Sequence, residues 1–477
     1  MSKTLLKFTI GLLVFQLIFW TFVPLMAHHA PPLDATEMYG WSLSFQWGFY
    51  KHPPMPAWIV AIVQTMVGKS MFSLFLCASI VISASYYAVA WLANRFLEEK
   101  EATVALFLYA LTLYCHLWST DFNHNQMQMP FWGFSLVCLV QTLDTGSRKW
   151  ALLLGIVMGL NALSKYTAAL IVPCAVLLLM ISPYWRRNLN ITLISIASIA
   201  FLTVFSPHLY WLTMHDFMPF HYVNERFDEM RDTNRLFDIA DYIGNILLAH
   251  LFLLMACLFL LRKKVIALEM NKKEYLYIWI MGLGPVGLTI VIGLFAPLYH
   301  RWVIPMLPMV TIVMAILMKG RFVYLYNKKA LFFFLILQLL FGMIYIYKDQ
   351  INPSQSARGQ YPAPEIAHAV YEQWHSLYPD KPMKIVAGGE WEAGFVSLFS
   401  PDKTYVFTQA NSVIAPWVTE KDVHNCGMVI LNPTQLQLEH FSAAKVQESI
   451  QIKNEKNNSN TQLELAISPP QGECQLK

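Results

Sequence analysis

Four polar side chains near the start of the sequence have the types and spacing for chemistry on a phosphorylated substrate. Asp34 and Glu37 are three residues apart, so on a short helix they share a face. Such a carboxylate pair acts as a general base or orients a cation, and partial burial tunes its pKa. The alternative is structural, with Asp34 as the cap of a helix and Glu37 at its third position. Lys51-His52 precedes two prolines and offers a point charge and a hydrogen-bond donor to a phosphate, unless Lys51 simply extends to lipid headgroups.

Further polar residues interrupt apolar stretches of the chain. Lys165 and Tyr166 lie within NALSKYTAAL, and a lysine inside or beside a membrane span is a functional candidate. His300 and Arg301 occupy a short turn, YHRW. The alternative for these cations is again extension toward headgroups. Asp121 belongs to the polar loop STDFNHNQ, which either binds sugar hydroxyls or is a hydrated loop tip.

The elements that position these residues are predicted to be membrane helices. Of the 477 residues, 56% are hydrophobic and 13% are charged, whereas soluble proteins carry about 25% charged residues. A net charge of +4 gives no basic surface for nucleic acid, so no nucleic-acid partner is expected. A span needs about 20 apolar residues, and about eleven segments qualify or come close. They are 8–27, 71–94, 102–118, 127–144, 150–164, 166–183, 190–211, 237–261, 275–297, 303–318 and 330–347.

The distribution of basic residues predicts how these spans are oriented. With a cytoplasmic N-terminus, 17 of the 24 Lys and Arg residues before position 348 fall in one set of loops. This bias places that set inside and the C-terminus outside. The first span is expected to be an uncleaved anchor because its apolar run is longer than that of a signal peptide. The outer loop 28–70 is aromatic and is predicted to form short helices at the membrane interface.

The chain is predicted to divide into a membrane domain, 1–347, and a small α/β domain, 348–477. Residues 364–378 have helical spacing, with Ile366, Val370, Trp374 and Leu377 on one face. Segments 384–388, 404–408 and 427–431 are typical of strands, whereas 451–477 is weakly patterned. Cys426 and Cys474 are the cysteines of this domain, and the sequence leaves open whether they form a disulfide. No Cys/His spacing predicts a zinc site.

Several stretches resemble bacterial glycosyltransferases of the GT-C superfamily. The most similar branch is related to dolichyl-phosphate-mannose protein mannosyltransferases and to the aminoarabinose transferase of lipid A, and is family 39-like. The stretches that carry the resemblance are DATEMYGWSLSFQWGFYKHPPMPAW (34–58), LSKYTAALIVP (163–173), SPHLYWLTMHDFMPFHYV (206–223), YHRWVIPMLP (299–308) and 385–427. The resemblance implies a polytopic α-helical GT-C fold with interfacial helices in the first outer loop and a small C-terminal α/β domain in the periplasm.

The resemblance also implies roles for the polar residues. Asp34 matches the acidic hallmark of the first outer loop, and we expect Asp34 and Glu37 to be catalytic. Lys51 matches a lysine that contacts the donor phosphate. We expect Lys51 and His52, with Lys165 or Arg301, to stabilise that phosphate as it leaves. Asp34 would accept or orient the proton of the acceptor hydroxyl, and one displacement would invert the anomeric centre. The remaining substrate contacts are expected from Asp121, Tyr166 and His300.

The function implied is transfer of a sugar from a polyprenyl-phosphate donor of the undecaprenyl-phosphate type to lipid A or lipopolysaccharide. The enzyme would be a monomer in the bacterial inner membrane, surrounded by membrane lipids, with its C-terminal domain in the periplasm. No cofactor or metal site is predicted, and metal dependence stays open. The alternatives are a protein O-glycosyltransferase of the same fold, a polymerase, and a flippase or transporter of a lipid-linked substrate. Transporters often show repeated halves, and we find no internal repeat.

Overall fold

The computed structural model describes residues 1–229, 234–265, 272–351, 358–447, 449–454 and 459–476. Most of the chain before residue 348 is helical. The helices of this part are α1 (Lys3–Ala27), α2 (Leu33–Ser42), α3 (Met55–Val67), α4 (Met71–Phe96), α5 (Glu99–Ala110), α6 (His124–Thr145), α7 (Arg148–Ser164), α8 (Ile171–Ile181), α9 (Pro183–Arg186), α10 (Ile191–Met214), α11 (Met218–Glu229), α12 (Arg235–Ala249), α13 (Leu251–Leu260), α14 (Lys272–Gly282), α15 (Gly284–Gly293), α16 (Val310–Leu317) and α17 (Lys328–Ile346). Short 3-10 segments precede α8 and α16 as Tyr166–Leu170 and His300–Met309.

Within the described ranges, six helical segments are long and apolar enough to cross a membrane. They are Lys3–Ala27, Met71–Phe96, Ile191–Met214, Glu274–Gly293, His300–Leu317 and Lys328–Ile346. Helices α12 and α13 form a seventh candidate, bent by 66°. These segments correspond to seven of the predicted spans. The predicted number of eleven is therefore not confirmed.

The remaining predicted spans are helical but shorter or more polar. Only the first part of segment 102–118 lies in α5, which ends at Ala110, and a short 3-10 helix, Leu113–Cys115, follows. Segment 150–164 is α7, with 17 residues, and the shorter apolar helix Tyr166–Ile181 covers 166–183. Segment 127–144 lies in α6, whose 22 residues extend roughly 33 Å at the helical rise of about 1.5 Å per residue. One face of α6 packs on α4 and another on α7, so its polar side chains are buried among helices.

The first predicted outer loop contains two helices, as expected. Helix α2 begins after Pro32 and α3 begins after Pro54, with Pro56 in its first turn, where the absence of an N–H has no cost. Helix α3 ends at Gly68, whose φ of 82° suits glycine. Both helices pack against each other and bury the aromatic rings of Tyr39 and Trp41.

The C-terminal part is an α/β domain, as predicted. Its elements are α18 (Ala363–Leu377), β1 (Ile385–Gly388), α19 (Glu390–Phe399), β2 (Tyr405–Thr408), α20 (Glu420–Cys426), β3 (Met428–Leu431), α21 (Gln435–His440), β4 (Lys445–Val446), β5 (Ile450–Asn454), β6 (Ser459–Leu463) and β7 (Leu465–Ser468). The sheet order is β2-β1-β3-β7-β4. Strands β1, β2 and β3 are parallel, whereas β7 runs antiparallel to β3 and β4. Strands β5 and β6 form a separate antiparallel pair.

Both faces of the sheet are covered, which explains its continuous apolar strands. Val386 packs with α18 and α19 on one face, while Ile385 and Ala387 pack toward α20 on the other. The predicted helical face is buried at Ile366, Val370 and Trp374, whereas Leu377 at the end of α18 is exposed. Cys426 and Cys474 form a disulfide.

Helix α19 joins this domain to the membrane part by packing on α2. Trp391 donates from its indole nitrogen to the Pro31 carbonyl at 2.9 Å. Gly394 faces Thr36 so closely that a Cβ there would lie 2.4 Å from the threonine methyl. Lys69 donates to the carbonyls of Ser400 and Asp402, at 2.5 and 2.8 Å, near the end of α19. The position of α19 is thus fixed at both ends relative to the first outer loop.

Candidate functional site

Asp34 lies in the first turn of α2, and two residues of a distant loop bind it there. The cap residue is Pro32, which offers no side-chain cap, so the alternative that Asp34 caps its own helix is wrong. Asp121 instead accepts the backbone N–H groups of Asp34 and Ala35, at 3.3 and 2.9 Å. The side-chain amide of Asn123 donates to the Asp34 carboxylate at 2.9 Å. Asp34, Asp121 and Asn123 form what we call the Asp34 cluster.

The two carboxyl groups of the Asp34 cluster are electrostatically distinct. Burial, and then the nearby Asp34 charge, raise the pKa of Asp121 to about 8, although its two backbone donors oppose the shift. The Asp34 carboxylate accepts from Asn123 and lies in the first turn of α2, where the helix N-terminus is electropositive. The two carboxyl groups therefore have different partners, since Asp121 accepts two backbone N–H groups and Asp34 accepts a neutral side-chain amide.

Lys51 lies between two carboxylates that come from opposite ends of the chain. Its ammonium donates to Glu37 at 2.7 Å and to both oxygens of Glu390 at 2.8 and 2.6 Å. Tyr50 also donates its hydroxyl to Glu390. The ring of Tyr222 lies 5.5 Å from the ammonium, within cation–π distance. Tyr50, Lys51, Glu37 and Glu390 are called the Lys51 cluster below.

The charges of the Lys51 cluster are strongly interdependent. Burial lowers the pKa of Lys51, but the Glu37 and Glu390 carboxylates raise it more, so the group stays protonated. Burial and the adjacent Glu390 carboxylate hold the pKa of Glu37 well above its usual range, despite the opposing effect of Lys51. Lys51 is thus neither free nor extended toward headgroups here.

A second cation, Lys165, lies between α7 and the following 3-10 turn. It is buried and donates to the side-chain oxygen of Asn125 at 2.5 Å, with the Trp302 ring 5.2 Å away. Burial lowers its pKa to about 7, while the Asp34 charge opposes this shift. A neutral amide oxygen is its hydrogen-bond acceptor among the described residues, so its charge is less compensated than that of Lys51. This environment favours an anionic ligand.

Two histidines, the half-buried His52 and the buried His124, lie beside these cations. The rings of His52 and His124 are 3.9 Å apart. Burial, followed by the charges of Lys165 and Lys51, lowers the pKa of His52 to about 3. Burial and the neighbouring charges likewise hold the pKa of His124 well below its usual range. Both rings are therefore neutral and able to hydrogen-bond without adding charge.

The other predicted site residues have individual surroundings. The Tyr166 hydroxyl and the His208 ring are 2.9 Å apart. His300 lies 3.8 Å from the Asp241 carboxylate. Arg301 is exposed, and its charge weakly lowers the pKa of Asp121, which places it within electrostatic range of the Asp34 cluster. The structure therefore brings Asp34, Asp121 and Lys165 into one neighbourhood and links Glu37 to Lys51 instead.

A cavity of about 820 Å³ adjoins the Lys51 cluster. Its walls come from the α10–α11 region and from loop 409–416 of the C-terminal domain, and its volume suits a small headgroup. Asp216 and Gln409 on its rim have positive φ values of 48° and 54°. The lining residues are Tyr50, Lys51, Met214, His215, Asp216, Met218, His221, Tyr222, Glu225, Arg226, Glu390, Gln409, Ser412, Val413, Ile414 and Pro416. In the part of the chain that the structure describes, no group of three or more His, Cys, Asp or Glu side chains is placed to hold a metal ion.

The sequence reasoning missed Glu390, and it gave Asn123 and His124 no role beyond their place in the polar loop. Glu390 lies within GGEWEAGF, a stretch quoted above for its resemblance, and two acidic residues at a helix start gave a weak signal. Asn123 and His124 belong to the same polar loop as Asp121. The loop was recognised, but pairing between a loop and a helix 89 positions away cannot be deduced from local patterns.

Comparison with known proteins shows a family match for part of the chain and a solved structure with the same fold. The family described as dolichyl-phosphate-mannose-protein mannosyltransferase matches residues 51–211. The structure of ArnT from Cupriavidus metallidurans bound to undecaprenyl phosphate superposes with a TM-score of 0.62 at 12% identity, covering 98% of this chain and 99% of ArnT. The chain has the ArnT fold. The expected GT-C architecture is thereby confirmed at the level of the fold, whereas the side of the membrane that holds the C-terminal domain stays a prediction.

Two relatives found by sequence similarity are named as glycosyltransferases. Lipid A galacturonosyltransferase RgtD of Rhizobium johnstonii is 24% identical over 39% of this chain and 39% of its own length. Lipopolysaccharide core galacturonosyltransferase RgtA of the same organism is 26% identical over 39% of this chain and 37% of its own length. The matched region thus spans less than two fifths of each relative. The resemblance to this branch of glycosyltransferases, stated from the motifs, is confirmed.

Proposed function

We propose that this chain is a multi-pass membrane glycosyltransferase that takes a sugar from an undecaprenyl-phosphate-type donor. The observation that carries the proposal is the run of hydrogen bonds that links the Asp34 carboxylate through Asn123 and Asn125 to the buried ammonium of Lys165, in a chain with the ArnT fold. An activated sugar phosphate needs both a carboxylate at the attacking hydroxyl and a cation at the leaving phosphate.

Lys165 is the cation best suited to the phosphate of the donor. Its ammonium is buried and its hydrogen bond is to a neutral amide, so an anion there would gain a charge-assisted bond. Arg301 adds long-range positive charge, and the neutral His52 offers a hydrogen bond. Lys51 contributes once its ion pairs with the two carboxylates are rearranged. The proposal thus retains all four predicted phosphate ligands but ranks Lys165 first.

The reaction is a single displacement at the anomeric carbon. The acceptor oxygen forms a bond to this carbon while the bond to the phosphate oxygen breaks, and the phosphate leaves with the electron pair. The hydroxyl proton passes to Asp34, whose carboxylate is held by Asn123 in the first turn of α2. Glu37 acts through Lys51 rather than as a second base, and Tyr166 and His300 would contact substrate from the periphery of the site.

We propose that the acceptor is a lipid A or lipopolysaccharide-type molecule whose headgroup enters the cavity beside Lys51. Support comes from the two relatives named for such acceptors and from the cavity's size and mixed polar lining. The membrane part would be 1–347 and the second domain 348–477, with this domain in the periplasm and the chain a monomer. A protein acceptor is the second candidate because the matched family is described as a protein mannosyltransferase.

The decisive experiment reconstitutes the purified chain in liposomes with radiolabelled polyprenyl-phosphate sugar and a lipid A acceptor. Transfer of label to lipid A supports the proposal, and transfer to an added protein supports the second candidate. Movement of the donor across the bilayer without covalent transfer would refute both and indicate a flippase. Mass spectrometry of lipid A and core from cells with and without the gene would identify the sugar.

A further inference from the structure

Every hydrogen-bond donor of the Lys51 ammonium is already committed to a carboxylate. A lysine ammonium has three N–H donors, and Lys51 has contacts of 2.6 to 2.8 Å to one oxygen of Glu37 and both oxygens of Glu390. A phosphate can therefore bind Lys51 closely only by displacing one of these carboxylates or sharing the ammonium with it. The identity of the displaced carboxylate then influences how tightly an anionic ligand binds.

The two carboxylates differ in their access to the cavity. Glu37 lies on α2, with 10% of its side chain exposed, and is not part of the cavity wall. Glu390 is 19% exposed and lines the cavity together with Tyr50 and Lys51. The Glu390 side of the ammonium is therefore its more accessible side.

Glu390 is held in this position by the C-terminal domain. It is the first residue of α19, and the next residue, Trp391, is bonded to the Pro31 carbonyl just before α2. The tight contact of Gly394 with Thr36 fixes the same helix against α2. Glu390 cannot move far without disturbing this packing, and the Lys51 ammonium that it binds lies 5.0 and 5.5 Å from the rings of Tyr50 and Tyr222.

We propose that Glu390 is a positioning residue that competes with the phosphate of the donor lipid for Lys51 and thereby limits the affinity for that lipid. This inference rests on the proposed function, since it assumes an anionic lipid phosphate at Lys51. It assigns the C-terminal domain a direct part in donor binding, because the competing carboxylate belongs to that domain.

The test measures binding of undecaprenyl phosphate to the full-length chain in detergent. Glu390→Gln keeps the side-chain shape but removes the competing charge, and we expect about tenfold tighter binding. Glu392→Gln is the matched control, since it removes the same charge one position beyond Trp391 on α19 and should leave binding unchanged. Tyr50→Phe keeps both carboxylates but removes a hydroxyl that orients Glu390, and should tighten binding by a smaller factor.

The Glu390→Gln substitution made in a Lys51→Met variant shows whether Glu390 acts through Lys51 or simply repels the phosphate. If Glu390 acts through Lys51, the gain from Glu390→Gln disappears in this background. Equal or weaker binding by Glu390→Gln, with a normal unfolding temperature, would overturn the inference while leaving the proposed function intact. The inference would also be overturned if Glu390→Gln tightened binding equally in the Lys51→Met variant. If Glu390→Gln does not fold, an unchanged affinity of Tyr50→Phe overturns the inference instead. Failure of the wild-type chain to bind undecaprenyl phosphate would instead refute the proposed function, and this inference with it.

Discussion

Replacing Asp34 with asparagine separates catalysis from structure at the centre of the proposed site. Asparagine keeps an oxygen that can accept the hydrogen bond from Asn123, so that contact survives. The change also removes the negative charge beside Asp121. We therefore expect the free energy of unfolding to change by no more than about 1 kcal/mol, the typical net value of one hydrogen bond. If Asp34 accepts the proton of the acceptor, turnover should fall by about 10²- to 10⁴-fold.

The assay is transfer of labelled sugar from polyprenyl phosphate in proteoliposomes, with thermal unfolding of the same samples as the check on folding. Asp380→Asn serves as the control because it removes the same charge at an exposed position of the C-terminal domain. Wild-type turnover by a folded Asp34→Asn variant would refute the catalytic assignment. A parallel loss of turnover and stability would show that the residue acts only by holding α2.

Lys165→Met should weaken binding of undecaprenyl phosphate by at least about tenfold without lowering the unfolding temperature, since a buried ammonium bonded to a neutral amide costs stability. Equal binding would remove this residue from the phosphate site. The pKa of about 8 for Asp121 in the folded chain, against about 3.9 in an unfolded one, means that the folded state retains a proton, so stability should fall from about pH 4 to pH 8. Asp121→Asn should flatten that part of the pH–stability curve, and an unchanged slope would contradict the assignment. Removing the Cys426–Cys474 disulfide, which closes a separation of 48 positions, should destabilise the C-terminal domain by about 4 kcal/mol in denaturant titrations. Gly394→Ala should cost about 1 to 3 kcal/mol by forcing α19 away from α2, and should lower turnover as well.

The spacing of apolar residues predicted many of the helices and strands, because each element buries one face or both faces. The helix at 364–378 and the strands at 384–388, 404–408 and 427–431 were placed within one or two residues of their observed positions. Their apolar residues recur at the period of a helix or fill a strand covered on both faces. Strand β7 was missed because Leu465–Ser468 follows a stretch rich in polar residues. The predicted number of eleven spans stays unconfirmed, because six helices and one bent pair of the described residues are long and apolar enough to cross a membrane.

The sequence predicted which residues belong to the candidate site better than it predicted which of them contact one another. Asp34 and Glu37 were expected to act together because three residues separate them along a helix. The structure directs Asp34 toward Asn123 and Asp121 but Glu37 toward Lys51. These partners come from separate loops, and neither propensity nor charge balance encodes which loop meets which helix turn. Contacts between distant parts of the chain decide the chemistry here.

The Lys51–Glu390 contact also sets an order of events during synthesis of the chain. The two residues are 339 positions apart, so at a translation rate of about 5 to 20 residues per second Glu390 is made roughly 20 to 70 s after Lys51. In that interval Glu37, only 14 positions from Lys51, is the nearer carboxylate with which it can pair. The Lys51 cluster is therefore completed only after the whole helical bundle has been translated, and a ribosome that stops early leaves a protein inserted in the membrane without its finished site.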